Sequence, residues 1–322
     1  MMFSGLAAGA KAIGLRFTIS GILPFALLGW FAFGLASVEN AGPKESLLKA
    51  LNTSLHSLGP AGWALMIVGS FVFAVITQPF QIAVVRLLEG YWGASVASDH
   101  LRAICAEFQR RRRHYLHTRR TFAATRKSKH VTAYLTRQLE RYPDPEHILP
   151  TLLGNTLRAG ERSAGERYGL DTVRSWSRLY YELPDIFRCD VADLHAEVDG
   201  GARLAIALGI AGVGGLPVLL PHGWWNLVWL SAMALSWISY RGTITAASNL
   251  RVVLASAFDL YRFNLLTALH IPLPDDHAQE RVQNDQLSKF LASPDGKSPL
   301  PPGIKYYHPE LAQCSTPDQS GD

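Results

Sequence analysis

The residues of this 322-residue chain that could do chemistry gather in three places. His114 and His117 lie three apart, a spacing at which two imidazoles on one helical turn can share a metal ion. Around them stand Arg110, Arg111, Arg112, Arg113, Arg119, Arg120, Arg126, Lys127 and Lys129. A dication beside so many positive charges is electrostatically disfavoured, so exposed histidines are expected, with no metal and no other cofactor. The basic run is the second place. Four consecutive arginines point to all sides of a helix and cannot form one salt-bridged stripe; such a run suits anionic lipid headgroups, an acidic protein segment or nucleic acid. No aromatic RNA-binding motif accompanies it, so contact with lipid headgroups is the preferred reading and nucleic acid the weaker one. Third, Thr77, Gln78, Pro79 and Gln81 set polar groups and a proline in an otherwise apolar stretch. Proline removes an amide donor and frees a carbonyl, and a kink is expected. The glutamines then either satisfy that backbone or line a pore. No Walker motif, G-x-S-x-G or H-E-x-x-H occurs, nor paired carboxylates with an evident partner group, so no enzyme is expected.

These places must be held by elements that the composition defines. The chain is 48% hydrophobic and 18% charged with a mean hydropathy of +0.08, against roughly 25% charged in a typical soluble domain. The missing charge is concentrated in four uncharged stretches, 17–38, 62–85, 204–220 and 224–240. A helix needs about 20 apolar residues to cross a bilayer, so four transmembrane helices in two hairpins are expected. Lys11 and Arg16 precede the first stretch as they would a signal peptide, but its apolar core exceeds the roughly 7 to 15 residues of such a segment. Cys105, Cys189 and Cys314, odd in number and far apart, support neither a disulfide framework nor a zinc site.

Of the 31 lysines and arginines, 20 fall within 86–203 and none in the turn at 221–223. Cytoplasmic loops retain such an excess, so both termini and the middle segment are expected on the cytoplasmic side of the membrane. The small residues Ala205, Gly209, Ala211 and Gly215 recur at the spacing that lets helices pack closely. Between the hairpins, Leu101, Ile104, Phe108 and Tyr115 recur with helical period, as do Val131, Tyr134, Leu135 and Leu139 behind Ser128 as a cap, and Val173, Trp176, Leu179 and Tyr180 behind Asp171. The fold class is therefore all-α: an integral membrane protein with a helical cytoplasmic insert. The expected segments are a cytoplasmic N-terminus (1–16), a first hairpin (17–92), the insert (93–203), a second hairpin with a long helical extension (204–271), and a short helix with a disordered tail (272–322).

Four local strings stand out: Pro79 and Gln81 with Arg86-Leu87-Leu88-Glu89-Gly90-Tyr91-Trp92-Gly93; Leu149-Pro150-Thr151 with Leu153-Gly154-Asn155 and Arg158; Arg167-Tyr168-Gly169-Leu170-Asp171; and Phe258-Asp259-Leu260-Tyr261-Arg262-Phe263. Together they resemble a family of bacterial four-span membrane proteins to which no activity is assigned, over roughly residues 60 to 290. Where that pattern has a proline after the helical tryptophan, this chain has Trp176-Ser177. The layout of spans and insert is also similar to that of bestrophin channels, without their signature residues. The resulting expectation is a non-enzymatic, homo-oligomeric membrane scaffold or sensor whose partners are the bilayer and its anionic headgroups. The alternative is an oligomeric ion channel lined by the second span.

Overall fold

The computed structural model of the chain describes residues 24, 26–37, 47–77, 80–292 and 306–307. All its regular elements are helical, and no strand occurs among the described residues. In chain order they are α1 (Ala26–Ser37), α2 (Leu47–Ser57), α3 (Gly59–Thr77), α4 (Gln81–Glu89), α5 (Val96–Thr125), α6 (Lys129–Leu139), α7 (Leu152–Glu166), α8 (Thr172–Glu182), α9 (Asp185–Leu219), α10 (Asn226–Ala268) and α11 (His277–Ala292). The all-α expectation holds.

Several boundaries follow from local chemistry. The Asp171 carboxylate accepts a hydrogen bond from the Arg174 amide at 3.1 Å and starts α8, as its position predicts. Asp276 accepts from the Gln279 amide at 2.7 Å and starts α11 in the same way. Ser128 precedes α6, but its side chain makes no capping bond. α10 runs unbroken for 43 residues and stops where His270 takes a left-handed conformation ahead of Pro272.

The chain forms two compact units, each assembled from separate stretches of the sequence. The first comprises the described residues within 1–114, 149–154 and 193–247; the second, those within 115–148, 155–192 and 248–322. In the first unit α9 and α10 pair as an antiparallel hairpin through a short turn. Ser236 Oγ donates to the Ala205 carbonyl at 2.6 Å, and Ser239 Oγ to the Gly201 carbonyl at 2.9 Å. The small strip on α9 is a packing face: a Cβ on Gly212 would stand 2.6 Å from Met233, and one on Gly215 would stand 3.0 Å from the Phe31 ring of α1.

Of the four expected spans, α9 alone is one helix long and apolar enough to cross a membrane, among the described residues. The second stretch is divided between α3 and α4, and the α2–α3 pair qualifies only as a unit bent by 98°. α1 is the described part of the first stretch, of which 17–23, 25 and 38 lie outside the described residues, and the turn at 223–225 places Trp224 and Trp225 ahead of α10. In the second unit Leu179, Ala257, Phe258, Leu265, Leu266 and Leu287 form a tightly buried core in which α8 packs on α11.

Candidate functional site

The basic run lies on α5, the turn after it and the first residue of α6, and the large apolar side chains of α5 are not its buried ones. Leu101, Ile104, Phe108 and Tyr115 are exposed, between 52% and 67%, as is Phe122. The buried side carries Ala106, Gln109 and Ala123 instead. The arginines differ in setting. Arg110 and Arg111 share Glu107, at 3.5 and 2.9 Å, and Arg119 and Arg126 lie beside the rings of Tyr115 and Phe122. Arg112, Arg113 and Arg120 are half-buried, whereas Lys127 and Lys129 are exposed. His114 and His117 are exposed, and no group of three potential metal ligands comes together among the described residues.

Of the polar residues proposed for the second span, Gln78 and Pro79 lie outside the described residues. Thr77 is the last residue of α3 and Gln81 the first of α4, so this apolar stretch is built from two helices.

The four strings singled out in the sequence meet two by two. In the first unit Gly90 ends α4 in a left-handed conformation, donating to the carbonyls of Arg86 and Leu87, while Trp92 Nε1 donates to the Leu87 carbonyl at 2.8 Å. Pro150 seals this turn, because a Cβ on Gly90 would lie 2.2 Å from its ring. Thr151 caps α7 by accepting from the Gly154 amide at 3.0 Å, and the Leu153 amide donates to Tyr240 Oη at 3.3 Å. Gly154 itself sits against the Glu89 carbonyl oxygen, with no room for a side chain.

In the second unit the other two strings build a polar network with α11. Tyr168 Oη donates to the Asp259 carboxylate at 2.6 Å, and Arg167 stands 3.8 Å from the same group. Arg262 does not pair with the Asp259 carboxylate three residues before it, although the spacing would allow it. Its Nε donates to Glu280 at 2.6 Å, and the guanidinium lies 4.0 Å above the Tyr168 ring. The His277 ring nitrogen is 3.1 Å from the other Glu280 oxygen. Asn284 Nδ2 donates to the Tyr168 carbonyl at 2.9 Å, and the Asp171 amide donates to Ser288 Oγ, also at 2.9 Å. Desolvation, followed by the bond to Asp259, pushes the Tyr168 phenol pKa up, so the proton stays where it bridges to the carboxylate.

Sequence reasoning passed over the α11 side of this network. Glu280, Asn284 and Ser288 fall at i, i+4 and i+8, and all three are buried. A polar stripe with strict helical spacing beside Leu287 was the available sign.

Beside the network is a cavity of about 450 Å³, where the last two turns of α7 face the start of α8. Arg158, Glu161, Arg162, Glu166, Asp171 and Arg174 line it, three bases against three acids, so it favours neither an anion nor a cation. The Nε–H groups of Arg158 and Arg162 are buried there without a protein partner. Comparison with protein families, curated proteins and solved structures finds no match to this chain. What can be said of the cavity therefore comes from its own charges.

Glu161 opens to solvent at the rim, yet the surrounding walls desolvate it and raise its carboxyl pKa, with Arg158 pulling the other way. Between the ordinary carboxyl pKa and the raised one, the folded chain holds a proton that the unfolded chain has shed. Stability from this group therefore falls as pH rises through that window. Glu161→Gln should remove this slope, so that the variant gains in melting temperature over the parent protein from about pH 4 to pH 7. An unchanged difference across that range would count against the assignment.

Proposed function

We propose that the protein is a multi-pass protein of a bacterial plasma membrane and acts, without catalysis, as a homo-oligomeric scaffold or sensor through its cytoplasmic helices. The observation that carries the reading is α3. α3 carries no charge and only Ser70 and Thr77 as polar side chains, and Leu65, Ile67, Val68, Phe71, Val72, Phe73 and Ile76, spread over about two thirds of its circumference, are all exposed. A helix that is apolar all round is found in a protein core or in lipid, and surrounding protein does not cover this one. The exposed Ile210, Val213, Leu227, Leu230 and Trp237 of the α9–α10 hairpin extend the argument. The Ser236 and Ser239 hydroxyls donate to carbonyls of the facing helix, which satisfies them without water. Trp63 and Trp225 line one apolar hollow of about 340 Å³, which supports a tryptophan belt at the outer ends of the spans. In this reading all four apolar stretches cross the membrane, and both termini and the insert are cytoplasmic.

Alkaline carbonate should leave the chain in the membrane fraction, a reporter fused at residue 120 should report cytoplasm, and one fused at residue 222 should report periplasm. Release of the chain by carbonate would overturn the reading. The channel alternative draws on one observation, the division of the second stretch between α3 and α4. Ion flux into proteoliposomes that Gln78→Leu with Gln81→Leu abolishes would decide for it over the scaffold.

A further inference from the structure

α5 is an amphipathic helix turned inside out, because its large apolar side chains face outward while alanines and a glutamine pack inward. At about 100° per residue, Leu101, Ile104, Phe108, Tyr115 and Phe122 fall within a sector about 60° wide. Arg111, Arg112, Arg119 and Arg126 project along the same side, within about 60° of its centre. The guanidinium of Arg119 is 5.7 Å from the centre of the Tyr115 ring, and that of Arg126 is 4.4 Å from the Phe122 ring. Aliphatic and aromatic groups interleaved with arginines along one face match the design of a helix that lies in the headgroup region.

The geometry points to an anionic lipid surface as the occupant of this face: we propose that α5 lies along the inner leaflet, with its apolar side chains at the acyl boundary and Arg111, Arg112, Arg119 and Arg126 on acidic headgroups. The inference rests on the membrane reading above and names the partner of the basic run. A second copy of the chain is a poor occupant, because α5 carries seven arginines against two acids and would repel its like. A bilayer rich in acidic lipid offers both missing parts, negative charge and an apolar layer just beneath it.

The test uses the full chain in proteoliposomes, with Cys105, Cys189 and Cys314 replaced by serine and an environment-sensitive fluorophore on Ile104→Cys. Vesicles of phosphatidylcholine alone are compared with vesicles containing phosphatidylglycerol. A blue shift confined to the acidic vesicles is expected, reversed by high salt, with no shift for the same label on His117→Cys across the helix. Each arginine of the four changed to glutamine should weaken docking by about fivefold. Absence of any shift, in a chain that still resists carbonate extraction, would overturn the inference and leave the membrane reading intact; extraction by carbonate would overturn that reading itself. A shift in neutral vesicles that grows with protein density, or one produced by single-stranded RNA, would assign the face to a second copy or to nucleic acid, and would equally overturn it.

Discussion

Glu280→Ala should destabilise the folded chain by about 3–5 kcal/mol, a large part of the roughly 5–15 kcal/mol available to a typical fold. The Glu280 side chain is 5% exposed, and Arg262, its partner at 2.6 Å, is 17% exposed. Removing the carboxylate leaves a guanidinium held against the Tyr168 and Phe263 rings with little water to replace the lost charge. The cost comes from that stranded cation more than from the bond itself. Two further variants separate these terms. Arg262→Lys keeps the charge but loses the planar stacking on Tyr168, so it should fall between the parent and the alanine variant. Arg262→Met combined with Glu280→Leu removes both charges and should recover most of the loss. A double-mutant cycle by chemical denaturation in detergent measures the coupling, and additive single losses would show that the two side chains do not act as a pair.

Gly154→Ala should be destabilising although it sits in a helix, where alanine is ordinarily better by about 1 kcal/mol. The added methyl would stand 2.2 Å from the Glu89 carbonyl oxygen and 3.0 Å from the Glu89 carbonyl carbon. Both are backbone atoms and cannot rotate aside, so the start of α7 or the end of α4 must move. Overpacking of this kind typically costs about 1–3 kcal/mol, and the backbone neighbour places this site toward the upper end. Gly242→Ala is the matched control, since it is helical, exposed and has nothing within 4 Å of the added carbon. That variant should gain about 0.5–1 kcal/mol. Melting curves of the two variants with shifts of the same sign would contradict the contact between Glu89 and Gly154.

The helices were legible in the sequence because apolar period and caps are local properties. Asp171 starts α8 and α10 runs to its predicted end for that reason. The face a helix buries is not local. In α5 the large apolar side chains recur with helical period, yet Ala106, Gln109 and Ala123 are the buried residues and the bulky ones lie outside. Span number was read from uncharged length, which cannot register the bend of 98° before α3. The pairing of the four strings was equally hidden, since Tyr168 and Asp259 are separated by 91 residues. Their glycines carried the only hint: Gly90 and Gly154 are needed because each touches the other string's surroundings.

The interleaving of the two units sets the order in which the chain can mature. The second unit takes Asp259 from α10 and Glu280 from α11, so the ribosome must reach the last helix before Tyr168 and Arg262 find their partners. Until then the nascent segment 115–192 lacks the part of its interior that α10 and α11 supply. A fragment cut at residue 203 is therefore not a miniature of the second unit, and truncation before His277 removes the α11 partners of residues made long before.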